Sequence, residues 1–178
     1  MTDSTLIIRQ ADLAAQEVAS DLLRRYFTEE GIALAAGLPM AGLTALLDDS
    51  RAAVLLATHT GAGAEVAGIA TVTWTASAAH RRLAEVAELY VRPAARRRGV
   101  ATSLLEAAIA WARDHGCTVC RLAVGPDGEL SHGVAGFFTA RGFDDDYRKV
   151  LVREVRGAGR RTASPLAGSG ADAGEAAS

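Results

Sequence analysis

The chain has 178 residues, 49% of them apolar, and sets 19 Lys plus Arg against 21 Asp plus Glu for a formal charge of -2. That length and apolar fraction predict one domain with a sizeable core, and the acidic balance excludes a whole-molecule field that would recruit nucleic acid or an anionic membrane. The opening MTDSTLIIRQ has neither the basic stretch nor the apolar run of a secretory signal. The longest uncharged run, residues 31–47, is broken by glycines and Pro39 and falls short of the roughly 20 residues a spanning helix needs. A cytoplasmic protein without a membrane segment is expected.

In chain order, residues 5–9 predict a first strand and residues 11–27 a helix, with a second short helix over 41–47 after a Gly/Pro break. AAVLLATH and VAGIATVTWTA predict two antiparallel strands joined by the turn-rich TGAGAE. Gly61, Gly63 and Gly68 therefore belong to a hairpin and not to a nucleotide-binding turn, which would have to open a helix. LAEVAELYVRP predicts a fourth strand closed by Pro93. From Gly99 to His115, the residues Val100, Leu104, Ala108 and Trp111 fall on one helical stripe that Gly116 ends. A fifth strand over 118–124, a helix over about 131–140 and a last strand over 148–155 complete a domain of residues 1–155. Residues 156–178, mostly Gly, Ala and Ser, predict a disordered tail.

Cys117 and Cys120 form a C-x-x-C, but in a strand their side chains point to opposite faces and no helix N-terminus activates either thiol, so inert buried thiols are expected. The histidines His59, His80, His115 and His132 are scattered and make no metal-ligand spacing. No phosphate-loop G-x-x-x-x-G-K-[ST] and no nucleophile-elbow G-x-S-x-G occurs.

The stretch VRPAARRRGVATSLL gathers positive charge in an acidic chain. It joins the end of a strand to the start of a helix, where free backbone N–H groups and the positive end of the helix dipole converge. Gly99 and the small Ala101 let an anion approach, and Arg96, Arg97 and Arg98 can add charge-assisted hydrogen bonds. On charge alone a solvated basic loop and a phosphate site are both open.

With its flanks, the stretch resembles the GNAT superfamily of acetyl-CoA-dependent N-acetyltransferases. The family's [QR]-x-x-G-x-[GA] appears as Arg96, Gly99 and Ala101, between a strand AELYVRP and a long amphipathic helix. A strand RLAV follows, then VAGFFTARGF, which is similar to the family's A-x-x-[FL]-Y-x-x-x-G-F. The likeness runs from Thr5 to about Val155, and ELYVRP looks most like the bacterial members that act on small-molecule amines. It implies an α/β (α+β) fold with a mixed, mostly antiparallel sheet, flanked by helices and splayed between strands four and five. It also implies acetyl-CoA as acetyl donor and no metal. The backbone from Arg97 through Val100 to Thr102 is then expected around the pyrophosphate, Tyr90 and Val91 along the pantetheine arm, Phe138 beside the cofactor, and the Val91 N–H as oxyanion donor.

Attack on a thioester needs a deprotonated amine, and an alkyl ammonium of pKa about 10.4 keeps its proton at neutral pH unless a base helps. The fourth strand offers Glu85 and Glu88. Their odd separation puts them on opposite faces of a regular strand, so one alone faces the cleft unless a bulge intervenes. Histone-acetylating members of the superfamily carry their acid at the Glu85 position and aminoglycoside-acetylating members at the Glu88 position, and ELYVRP favours Glu88. Phe138 departs from the family, which often has a Tyr there to protonate the leaving thiolate; Tyr147, water or the incoming ammonium are the substitutes. The resemblance puts the acceptor beside Tyr26, Glu29, Glu30 and Trp74, which suits a cationic small-molecule amine such as an aminoglycoside, the class met in antibiotic resistance, or a polyamine. Acetyl transfer in a ternary complex is the expected reaction, with homodimers common among proteins of this kind. The alternatives are a non-catalytic acyl-CoA sensor and an enzyme that acetylates a protein N-terminus or lysine. Nucleic-acid binding by the arginines lacks an aromatic platform and is not expected.

Overall fold

Strands β1 (Leu6–Gln10), β2 (Ala52–His59), β3 (Val66–Ser77), β4 (Arg81–Val91) and β5 (Val119–Leu122) lie side by side in that order in one sheet. They are seen in a computed structural model that describes residues 5–34, 37–61, 64–124 and 134–145. Neighbours from β1 to β4 pair antiparallel and β5 runs parallel to β4, giving the mixed, mostly antiparallel sheet that the sequence predicts. The last strand over 148–155, the tail, His132, Gly63 and Tyr147 lie outside the described residues.

Helices α1 (Gln16–Glu29) and α2 (Leu38–Asp48) cover one face of the sheet, and α3 (Val100–Asp114) covers the other. Val54, Leu56, Ile69 and Tyr90 point to the first face and pack with Leu22, Leu23 and Leu43. Ala53, Leu55, Ala70, Val72, Ala84 and Val86 point to the second and pack with Leu104, Leu105 and Ala108. This is the two-residue alternation of a strand, and because both faces are covered β2 is apolar nearly throughout. A short helix α4 (Val134–Thr139) adds Phe137 and Phe138 to the α3 side. Among the described residues no helix is long and apolar enough to cross a membrane.

Local chemistry moves some boundaries. The Asp12 carboxylate accepts the Ala15 N–H at 3.2 Å and opens a 3-10 turn over Leu13–Ala15, so α1 starts later than expected and runs on to Glu29. The Gly/Pro pair that reads as a break instead starts α2: Gly37 has φ +81°, and Pro39 sits in the first turn, where no N–H is missed. Gly68 is required by close packing, since a Cβ there would stand 2.6 Å from the Tyr90 carbonyl oxygen and 3.1 Å from Leu104 Cδ1.

Two irregularities in β4 create the site. Pairing with β5 runs only from Leu83 opposite Val119 to Val86 opposite Leu122, although β4 continues to Val91. One residue past that point, the register with β3 jumps from Val72 opposite Val86 to Thr71 opposite Glu88, leaving Ala87 unopposed. Such a bulge bends its strand, and here it does so where β5 parts from β4.

Candidate active site

Between Val91 and α3 the chain makes a 3-10 turn over Pro93–Ala95, then passes through left-handed backbone at Arg97 (φ +62°) and Gly99 (φ +81°) before entering the helix. The first intrahelical bond is Ser103 N–H to the Gly99 carbonyl at 3.0 Å, so the N–H groups of Val100, Ala101 and Thr102 precede it and face the helix entrance. A Cβ on Gly99 would meet nothing within 4 Å, which leaves the space before the turn open to an incoming group.

The arginines divide into two pairs. Arg92 bonds Glu65 at 2.8 Å and lies 3.7 Å from Asp21. Arg96 donates from Nε to the Val91 carbonyl at 2.9 Å and from Nη2 to Glu29. Arg97 and Arg98 are exposed and, among the described residues, make no ion pair. Arg96 thus braces the turn, while the next two guanidiniums stand exposed before the helix entrance. Positive charge at a helix N-terminus, where the dipole is also positive, favours an anion twice over.

A cleft of about 930 Å³ opens where β4 and β5 separate. Its walls include Leu89, Tyr90 and Val91 from β4, the turn before α3, Leu122 from β5, Phe137 and Phe138 from α4, and Tyr26, Glu29 and Glu30 from the end of α1. Arg92 N–H bonds the Ala67 carbonyl at 2.9 Å, so in an alternating ladder the N–H groups of Tyr90 and Glu88 also face β3. Those of Leu89 and Val91 face the edge that β5 has left. Tyr90 and Val91, expected along a pantetheine arm, both line the cleft with Leu89, and of the two it is Val91 whose N–H faces that edge. Tyr90 instead sends its hydroxyl to Glu29 Oε1 at 3.0 Å, with the Arg96 guanidinium 5.7 Å from its ring centre.

The bulge overturns the expectation that Glu85 and Glu88 point opposite ways. Cross-strand partners share a face, and Glu88 pairs with Thr71 and Glu85 with Thr73, both in phase with Ile69 and its partner Tyr90 on the α1 side. Both carboxylates therefore lie on one face. Glu85 is engaged by Arg121, whose Nε and Nη2 reach Oε2 at 2.8 and 2.7 Å. Glu88 is bound by Thr71, whose hydroxyl accepts the Glu88 N–H at 3.2 Å and donates to Glu88 Oε2. Burial raises the Glu88 pKa above the usual glutamate value; the Thr71 hydrogen bond opposes this rise and the charge of Glu85 adds to it.

Other predicted residues are placed as follows. Glu29 bridges Tyr90 and Arg96, and Glu30 and Tyr26 line the cleft. Trp74 does not join them: it is in phase with Val72 on the α3 face, under the Arg82 guanidinium at 4.4 Å. Phe138 packs edge-on to Phe137 and Phe143 at 5.1 and 5.9 Å. Sequence reasoning missed Arg141, which stands at no fixed position of the motif around it. It lines the cleft, stacks on Phe137 at 3.7 Å, and donates to Thr102 Oγ1 at 2.7 Å in the first turn of α3. Its Nε is buried without a hydrogen-bond partner among the described residues. Cys117 and Cys120 are free thiols; burial raises both pKa values, that of Cys120 to about 11. Among the described residues no group of three or more His, Cys, Asp or Glu is placed to hold a metal.

A model of the acetyltransferase (GNAT) family matches residues 17–143. Among solved structures the chain is similar to aminoglycoside N-acetyltransferase AAC(6')-Iy in complex with CoA, at TM-score 0.73 and 20% identity over 86% of this chain and 97% of that one. The same enzyme with the bisubstrate analog CoA-S-monomethyl-acetylneamine is similar at TM-score 0.72 and 21% identity, over 85% and 99%. The ribosomal-protein-alanine N-acetyltransferase of Brucella melitensis biovar Abortus 2308 is similar at TM-score 0.65 and 16% identity, over 84% and 100%. No curated protein matches the sequence. The anion-ready turn, the splayed strands and the family match over most of the described chain agree, and this protein belongs to the GNAT family of acetyltransferases and is an acyltransferase.

Proposed function

We propose that the protein transfers an acetyl group from acetyl-CoA to a primary amine of a small molecule, by direct attack in a ternary complex. The observation that carries this reading is the half-buried Glu88 carboxylate, fixed on the α1 face beside the stretch of β4 that β5 leaves unpaired.

Bound acetyl-CoA supplies an activated acetyl thioester. Arg97, Arg98 and the N–H groups of the first α3 turn suit its diphosphate, and the edge at Leu89 and Val91 that β5 leaves unpaired suits the amides of its pantetheine arm. The Val91 N–H faces the gap and would stabilise negative charge growing on the acyl oxygen. Glu88 removes the amine proton, and its raised pKa makes it a stronger base than an exposed glutamate. Phe138 has no proton to give, and a CoA thiolate with a pKa close to that of cysteine, about 8.5, departs without one. Glu30 lines the cleft, and Glu85 and Glu88 share the α1 face of β4 next to its wall, which favours a cationic amine. The solved neighbour that acetylates aminoglycosides supports that substrate class.

The test is calorimetric titration with acetyl-CoA and desulfo-CoA, with duplex DNA at two salt concentrations as control, followed by an amine screen read as thiol release. Binding of CoA without DNA and thiol release with a cationic amine are expected. Failure to bind CoA would overturn the reading. Binding without release from any aminoglycoside, polyamine or peptide would make the protein an acyl-CoA sensor.

A further inference from the structure

At the Ala87 bulge, Glu88 N–H faces β3, and the group that receives it is a side-chain oxygen, Thr71 Oγ1, at 3.2 Å. An amide N–H can only donate, so Thr71 Oγ1 accepts there, and its single proton is left for Glu88 Oε2. One hydroxyl therefore binds the main chain and the side chain of the same glutamate, curling the carboxylate back over its own backbone. Thr71 is 1% exposed and β-branched, so its own χ1 is tightly held. Glu88 Oε1 has no hydrogen-bond partner among the described residues, and the Glu88 side chain is only partly buried.

We infer that Thr71 is a positioning residue for Glu88: its hydroxyl occupies Oε2 and leaves Oε1 as the atom that takes the proton from the acceptor amine. This rests on Glu88 being the base of the proposed reaction. In that step the amine N–H bond breaks, the electron pair stays on nitrogen, and a new O–H bond forms at Oε1. The Thr71 hydrogen bond to Oε2 also favours the ionised carboxylate over the neutral one. The other ionisable groups of this face include Glu85 and Tyr90 on β4, Arg121 on β5, Arg9 on β1, and Asp21, Arg25, Tyr26, Glu29 and Glu30 on α1 and at its end. Arg121 is held by Glu85, and Glu29 by Tyr90 and Arg96; among the described residues the hydroxyl of Thr71 is the one side-chain group bonded directly to Glu88.

The experiment compares Thr71→Val, which removes the hydroxyl, with Thr71→Ser, which keeps it and removes the methyl. Glu88 ionisation is followed by carboxyl carbon NMR, with Glu88→Gln assigning the signal, beside pH profiles of kcat/KM. In Thr71→Val the Glu88 midpoint and the acid limb of kcat/KM should both move up by about one pH unit. Turnover should fall about tenfold with the KM for acetyl-CoA unchanged. Thr71→Ser should restore both, which a purely packing role for Thr71 would not produce. An unmoved NMR midpoint in folded Thr71→Val overturns the positioning role by itself, whatever the activity. Full activity in Glu88→Gln overturns the assignment of the base, and the role of Thr71 with it.

Discussion

The turn before α3 and the bulge in β4 serve the same cleft but are encoded at different ranges. The turn is local: a proline after the strand, then Gly99 at φ +81°, then small residues opening a helix, all within a dozen positions. The bulge is tertiary. Ala87 has no special backbone requirement and no diagnostic neighbour, and beside it Thr71, distant in the chain, accepts the Glu88 N–H on its side-chain oxygen. A turn set by backbone can therefore be read from adjacent residues, whereas the orientation of a carboxylate set by strand register cannot.

The comparison breaks most visibly at Glu88. Glu88→Gln should lower kcat by about 10² to 10⁴ with acetyl-CoA affinity unchanged, measured by steady-state kinetics and calorimetry. Glu85→Gln should cost less than about tenfold, because Glu85 is paired with Arg121. The opposite ranking would mean that the bulge serves the other carboxylate.

Two glycines separate binding from folding. Gly99→Val puts a branched side chain at φ +81° into open space, so it should weaken acetyl-CoA binding by more than about tenfold while straining the backbone by only about 1–2 kcal/mol. Gly68→Ala drives a Cβ to 2.6 Å from the Tyr90 carbonyl and should do the reverse. Overpacking of about 1–3 kcal/mol lowers Tm by roughly 2–4 °C per kcal/mol in a chain of this size, and thermal unfolding would show it. If Gly99→Val binds acetyl-CoA normally, the turn is not the anion site.

Arg141→Gln sharpens the same boundary with a smaller effect. The guanidinium adds positive charge beside the first turn of α3, already the positive end of a dipole, an arrangement that an anion in the cleft would relieve. The KM for acetyl-CoA should rise roughly tenfold with kcat little changed, as for the loss of one charge-assisted hydrogen bond.

The sequence alone discloses every strand from β1 to β5 and the helix α3 that the basic turn opens, because apolar period and turn residues are local signals. Its errors have physical causes. Pro39 reads as a break, yet in the first turn of a helix it costs no hydrogen bond, so α2 starts before it. Residues 118–124 look like strand throughout, yet pairing ends at Leu122 because β4 bends away. Trp74 is assigned to the acceptor side by resemblance, and strand alternation sends it to the other face. Beyond these errors, Arg96 reads as a phosphate ligand from its motif, and the fold adds that it lines the cleft while bonding the Val91 carbonyl and Glu29.

The smallest expected effect is thermal, and it tests whether the base site is held against its own stability. Burial and Glu85 together raise the Glu88 pKa above its ordinary 4.5, against the pull of Thr71. A carboxyl with a higher pKa folded than unfolded binds its proton more tightly in the native state, so its contribution is fully present below about 4.5 and is lost as pH rises through the folded value. At neutral pH the ionised Glu88 therefore disfavours the native state. Glu88→Gln removes the charge yet keeps an oxygen to accept the Thr71 O–H, so its Tm at pH 7 should exceed that of the parent by a few degrees, about 1 kcal/mol or less, and the gap should close toward pH 4. A variant less stable at pH 7 than at pH 4, relative to the parent, would show the ionised carboxylate stabilising the bulge. The bend in β4 would then be held by the charge of the proposed base, and that carboxylate and the cleft would be one device rather than two.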